Sequence, residues 1–243
     1  MQLIPLSSFI SIFNAVIALF CASLMFIRKR GLLFQNILAS RLFIVFVISA
    51  ITFSVAGLPG TLVKDPSKIQ MVYTFVDVFT MLNTICLVFI PLSVFSKGKP
   101  IAFQLLLPLI TFSIGYLIHN LLFVTPATPV VYGPFIDWRG SSLPIFQNAV
   151  AGIAMFCIAT TVFLFTKNGW FHENDVIRRR SRFMGSGFFL ILIGWALISL
   201  FTVSSGSKML LIISGGAGGS LLMSGGFLLL LKGVFEKESM KRL

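Results

Sequence analysis

The chain has 243 residues, of which 57% are hydrophobic and 11% charged, with a formal net charge of +12. A charged share about half that of an average soluble domain excludes a water-soluble globule. The length leaves little room for a soluble appendage beside a membrane part.

Residues Met1–Ile27 carry no side-chain charge, and the Arg28-Lys29-Arg30 cluster follows them. A cleavable secretory signal has its basic residues before the apolar run, so this order predicts an uncleaved first span. Further uncharged or nearly uncharged runs follow at Leu42–Val63, Ile69–Ser96, Ile101–Ile136, Gly140–Thr166, Phe183–Ser207 and Met209–Leu231. Crossing roughly 30 Å of hydrocarbon takes about 20 helical residues at ~1.5 Å each. Only helices and closed barrels satisfy every backbone group in lipid, and continuous apolar runs, without strict alternation, point to helices. The expectation is an all-α, polytopic seven-transmembrane bundle forming a single domain over residues 1–243. Its spans are predicted at 7–27, 35–57, 69–95, 101–123, 144–166, 183–204 and 209–231.

With the N-terminus outside and the C-terminus inside, the inner segments hold Arg28, Lys29, Arg30, Lys97, Lys99, Lys167, Arg178, Arg179, Arg180, Arg182, Lys232, Lys237, Lys241 and Arg242. The outer segments hold only Lys64, Lys68, Arg139 and Lys208. Basic residues gather on the cytoplasmic side of a membrane protein, so the excess is topological and implies no nucleic acid. The location expected is the plasma or inner membrane. Cys21, Cys86 and Cys157 all fall within spans and read as packing residues.

Polar groups inside spans are costly and therefore informative. In the third span Tyr73, Asp77, Thr80 and Thr84 share one helical face. Asn14, Tyr116, His119, Asn120, Gln147 and Asn148 lie at comparable or shallower depth toward the outer side. Two readings compete. In one, Asp77, Tyr73, Thr80, Tyr116, His119, Gln147 and Asn148 line an outward-facing cavity that binds a small ligand or proton. In the other, the shallower groups sit at the interface and Asp77 is a satisfied structural knot. Arg41, one to two turns from the inner edge, is expected to snorkel to the headgroups.

The seventh span reads SGGAGGSLLMSGG over Ser214–Gly226. Gly215, Gly219 and Gly226 form one face, and Gly218 and Gly225 a second, offset row. Tight internal packing against Gly185, Gly187 and Gly194 of the sixth span is one expectation, and a homodimer seam or a sliding signalling helix the other. Residues 167–182 form the longest inner loop, and its Arg178, Arg179, Arg180 and Arg182, just before the sixth span, suit lipid headgroups or a cytoplasmic or membrane partner.

Catalysis finds little support. No Cys/His group suits zinc, Asp77 is the sole acid in any span, and no Gly-x-Ser-x-Gly turn is present. No mid-membrane lysine on the last span could hold retinal. A non-enzymatic protein without a cofactor is expected. The RKRG turn after span one, the longer 124–143 connection and the RRRSRFMGSG start of span six resemble the seven-helix sensor regions of prokaryotic histidine kinases. That resemblance implies signal reception; because the sequence stops at Leu243, without an output domain, it also places the output in a partner. The alternatives are a structural subunit of a larger membrane complex and a small proton-coupled transporter using Asp77.

Overall fold

The structure is a computed structural model that describes residues 3–35, 37–92, 99–123, 125–140, 144–203 and 209–239. Seven helices run through them: α1 (Leu6–Gln35), α2 (Ile37–Ala56), α3 (Pro66–Leu92), α4 (Lys99–Leu122), α5 (Pro144–Phe171), α6 (Asp175–Val203) and α7 (Met209–Ser239). Six of the seven, all but α4, are long and apolar enough to cross a membrane, with mean hydropathy between 1.3 and 2.4. In α4 the apolar stretch among the described residues is Leu107–Leu122.

Sequence chemistry sets several helix ends. Asp65 precedes Pro66, and its Oδ1 accepts the Ser67 and Lys68 amides at 2.9 and 3.2 Å. That carboxylate covers two of the amides a helix start leaves unpaired, and proline suits the first helical position. Asn174 does the same for α6, accepting from the Val176 and Ile177 amides at 2.9 and 3.3 Å. The 167–182 stretch between the predicted fifth and sixth spans is therefore mostly helix, with only residues 172–174 between α5 and α6. Hydropathy marks where lipid begins, whereas the cap marks where the helix begins.

The apolar helices close into a ring. α1 packs on α2, α2 on α3, α3 on α5, α5 on α6, α6 on α7, and α7 returns to α1. α4 stands outside this ring and packs chiefly on α3. The ring's core includes Met25, Leu42, Phe46, Ile90, Met184, Phe188 and Leu230, all fully buried. The Phe46 and Phe227 rings meet edge to face at 5.7 Å.

Within the longer 124–143 connection the structure places a small sheet. Strands β2 (Thr128–Tyr132) and β3 (Phe135–Arg139) form an antiparallel hairpin, with Tyr132 opposite Phe135. Gly133 takes a φ of 56°, which a two-residue turn needs and which side chains rarely adopt. Strand β1 (Ile4–Pro5) pairs parallel to β3, giving the order β1-β3-β2. The hairpin is fastened to the helices beneath it by Tyr73, whose hydroxyl donates to the Trp138 carbonyl at 2.7 Å.

Two of the α7 glycines, Gly219 and Gly226, pack against α6. A Cβ placed on Gly219 would lie 2.5 Å from the Gly194 carbonyl oxygen, and one on Gly226 2.6 Å from that of Gly187. α6 and α7 thus meet backbone to backbone, which residues without side chains allow. Gly218 faces open space and Gly225 lies 3.7 Å from Leu190. The surroundings of Gly215 lie outside the described residues.

Candidate functional site

Among the described residues, the polar side chains singled out in the sequence are spread over more than one environment. The stripe on α3 straddles two environments, because α3 touches both the ring interior and the outlying α4. Thr74, Asp77 and Met81 face α4, while Thr80, Asn83 and Thr84 face inward.

The α3–α4 seam is a polar ladder. Asn120, 5% exposed, donates to Thr74, 2% exposed, at 3.4 Å. One turn on, the Tyr116 hydroxyl donates to Asp77 Oδ2. Beyond it the Ser113 hydroxyl reaches Met81 Sδ at 2.6 Å and its own helix at the Leu109 carbonyl. Residue numbers rise on α3 as they fall on α4, the register of antiparallel neighbours. Asp77 therefore lies on the outer flank of the ring, under α4, with a phenol as hydrogen-bond partner. His119 sits 3.4 Å from Asn120 Oδ1 and packs on Phe123, ring centroids 5.1 Å apart. The side chains of Gln147 and Asn148 lie outside the described residues.

Asn14 belongs elsewhere again. It is 1% exposed, and its Oδ1 accepts from both Ser220 and Ser224 of α7 at 2.9 Å. Serines four apart share one helical face, so a single amide pins α1 to α7 where the ring closes.

Arg41 reaches the end of α3. Its Nη1 donates to the Phe89 carbonyl, and its guanidinium lies 5.4 Å from the centre of the Phe89 ring. Phe89 is among the last four residues of its helix, whose carbonyls have no donor within the helix and carry partial negative charge. The basic run of α6 is partly engaged as well. Arg178 pairs with Asp175, and Arg182 donates to the Gly169 carbonyl at 2.8 Å with Trp170 stacked beneath it. Arg179 stays exposed.

A cavity of about 260 Å³ lies at the centre of the ring, and all six ring helices contribute to it. Its polar lining is Ser11 of α1, Ser49 and Thr52 of α2, and Thr80, Asn83 and Thr84 of α3. Phe53, Phe188, Trp195 and Phe227 supply aromatic walls. Among the described residues, Thr80 is the one predicted site residue that lines it, and no charged side chain does. The threonine hydroxyls donate to their own helices, Thr52 to Ile48, Thr80 to Val76 and Thr84 to Thr80, at 2.8 to 2.9 Å. Each keeps acceptor capacity toward the cavity. Asn83 donates its Nδ2 to Ser49 at 2.9 Å, and its buried Oδ1 has no partner among the described residues. A buried acceptor left unpaired costs about 1–3 kcal/mol. The cavity thus offers acceptors, aromatic faces and no charge.

Asn83, Ser49 and Thr52 were absent from the residues marked in the sequence. An amide in mid-span is a signal of the same kind as Asp77 and could have found Asn83. Among the described residues no group of three or more His, Cys, Asp or Glu could hold a metal. No known family model, curated protein or solved structure matches this chain.

Proposed function

We propose that this chain is a non-enzymatic membrane receptor or regulatory subunit that binds a small, uncharged aromatic molecule inside its helix ring. In this reading the chain crosses the membrane seven times, with α4 as the outlying crossing, the hairpin outside and the basic helix ends in the cytoplasm. The lysine and arginine distribution supports that orientation.

The observation that carries the reading is the unpaired Asn83 Oδ1 in an aromatic-lined central cavity. An apolar cavity of roughly 150 Å³ accommodates benzene, so about 260 Å³ suits one or two fused rings. A ring bearing an N–H or O–H would pair with Asn83, while a charged ligand would lose its hydration with no counter-charge in the lining. Because six helices meet at the cavity, an occupant that fits one packing of the ring better than another shifts the population between them. Arg179 and its neighbours would then carry the change to a partner on the cytoplasmic side.

The test is thermal unfolding of the purified protein in detergent with indole and with N-methylindole, which differ only at the donor. Indole should raise the unfolding temperature saturably, N-methylindole far less, and Asn83→Leu should abolish the difference. Equal shifts from both compounds, or a difference that survives in Asn83→Leu, would remove the support for this site.

A further inference from the structure

A second and larger recess, about 960 Å³, opens on the flank of the bundle at the hairpin end. Ile12, Val16 and Leu19 of α1 form one wall and Leu58 of the 57–65 connection another. Ile4 and Trp138 close it above. Val16 and Leu62 are 58% and 81% exposed, so the recess presents apolar surface that the chain itself leaves uncovered. It is tight at its base, where a Cβ on Gly57 would lie 2.5 Å from Ile12.

Among the described residues, Lys64 is the one charged residue in the lining. Among the described residues no acid lies within ion-pair distance of it. The adjacent Asp65 is committed to the α3 amides. Trp138 Nε1, at the edge of the recess beside Gly60, has no acceptor among the described residues. The recess therefore joins a strip of hydrocarbon-like surface to an unopposed ammonium at one end, while the Trp138 N–H is buried beside Gly60.

We propose that this groove holds an anionic phospholipid, one acyl chain lying along α1 and the phosphate at Lys64. The geometry fits a lipid standing in its own leaflet. At ~1.5 Å per residue, the wall from Ile12 to Leu19 descends about 10 Å, and Lys64 marks its upper end. A headgroup phosphate there meets a point charge with no competing carboxylate. The attraction expected from one basic residue near the membrane surface corresponds to about a fivefold preference for an anionic over a zwitterionic head. The chain gains contact with apolar surface whichever head it carries.

Trp138 reports on occupancy. In a Trp170→Phe/Trp195→Phe protein, Trp138 is the remaining indole. The protein would be reconstituted in phosphatidylcholine vesicles containing rising fractions of chain-brominated phosphatidylglycerol or chain-brominated phosphatidylcholine. Brominated phosphatidylglycerol should quench Trp138 at about fivefold lower mole fraction. Lys64→Gln should erase that preference. Lys68→Gln, an exposed lysine at the same end but outside the groove, should retain it. Equal potency of the two lipids, or a preference lost equally in Lys64→Gln and Lys68→Gln, would overturn a specific site and leave only general surface attraction.

Discussion

Alanine at Gly219 puts the α6–α7 interface to a direct test. A methyl there would sit 2.5 Å from the Gly194 carbonyl oxygen and 2.8 Å from Ile198 Cγ1. Ordinary heavy-atom contact lies near 3.5 Å, so the shortfall is about 1 Å and falls on a backbone atom, which cannot rotate away. The two helices must part over their whole shared face, including the equivalent approach of Gly226 to Gly187. Overpacking a tight interior usually costs 1–3 kcal/mol. With backbone as the obstacle, the upper end of that range, about 3 kcal/mol, is expected for Gly219→Ala. Gly218→Ala, one residue away, places its methyl in open space and should leave stability unchanged or slightly raised, since alanine favours helix over glycine. Unfolding of the purified protein by a denaturing detergent, followed by circular dichroism, measures both. If the two variants unfold together, the close approach of the helices is wrong.

Two further outcomes are expected. Tyr116→Phe removes the phenol that donates to Asp77 and should destabilise the protein by about 1 kcal/mol, the scale of hydrogen bonds between membrane helices. The loss should appear as faster amide exchange confined to Leu109–Leu122, and acceleration spread equally over the ring helices would contradict the placement of α4. A cysteine introduced at Gly133 should react with a membrane-impermeant maleimide added to intact cells, and one at His172 only after lysis; the reverse pattern would invert the proposed orientation.

Helix number and position were legible because uncharged runs of sufficient length report directly on lipid crossing. The predicted 35–57 and 144–166 fall within a few residues of α2 and α5 at the hairpin end. At the other end α5, α6 and α7 run past the apolar boundary, since helices continue through water once capped, as Asn174 caps α6. The hairpin carried a readable sign, two β-branched and aromatic runs around Gly133-Pro134. Strand β1 carried none, because two residues hold no period. The candidate site was harder to see. Periodicity places Tyr73, Asp77, Thr80 and Thr84 on one face, but it cannot say that the face is divided between α4 and the ring interior. The contact of Asp77 with α4 and the opening of a cavity beside Asn83 both depend on which helices are neighbours, and that is settled by packing between spans.

The join between α1 and α7 has a consequence for biogenesis. Asn14 is made early, yet the serines whose hydroxyls donate hydrogen bonds to it lie more than two hundred positions later, at Ser220 and Ser224. Until α7 leaves the ribosome, the circle of helices has a gap, and an amide facing that gap has only lipid or stray water to meet. Completion of the central chamber therefore waits for α7, so chains cut short before it would lack both the enclosure and the contact that seals it.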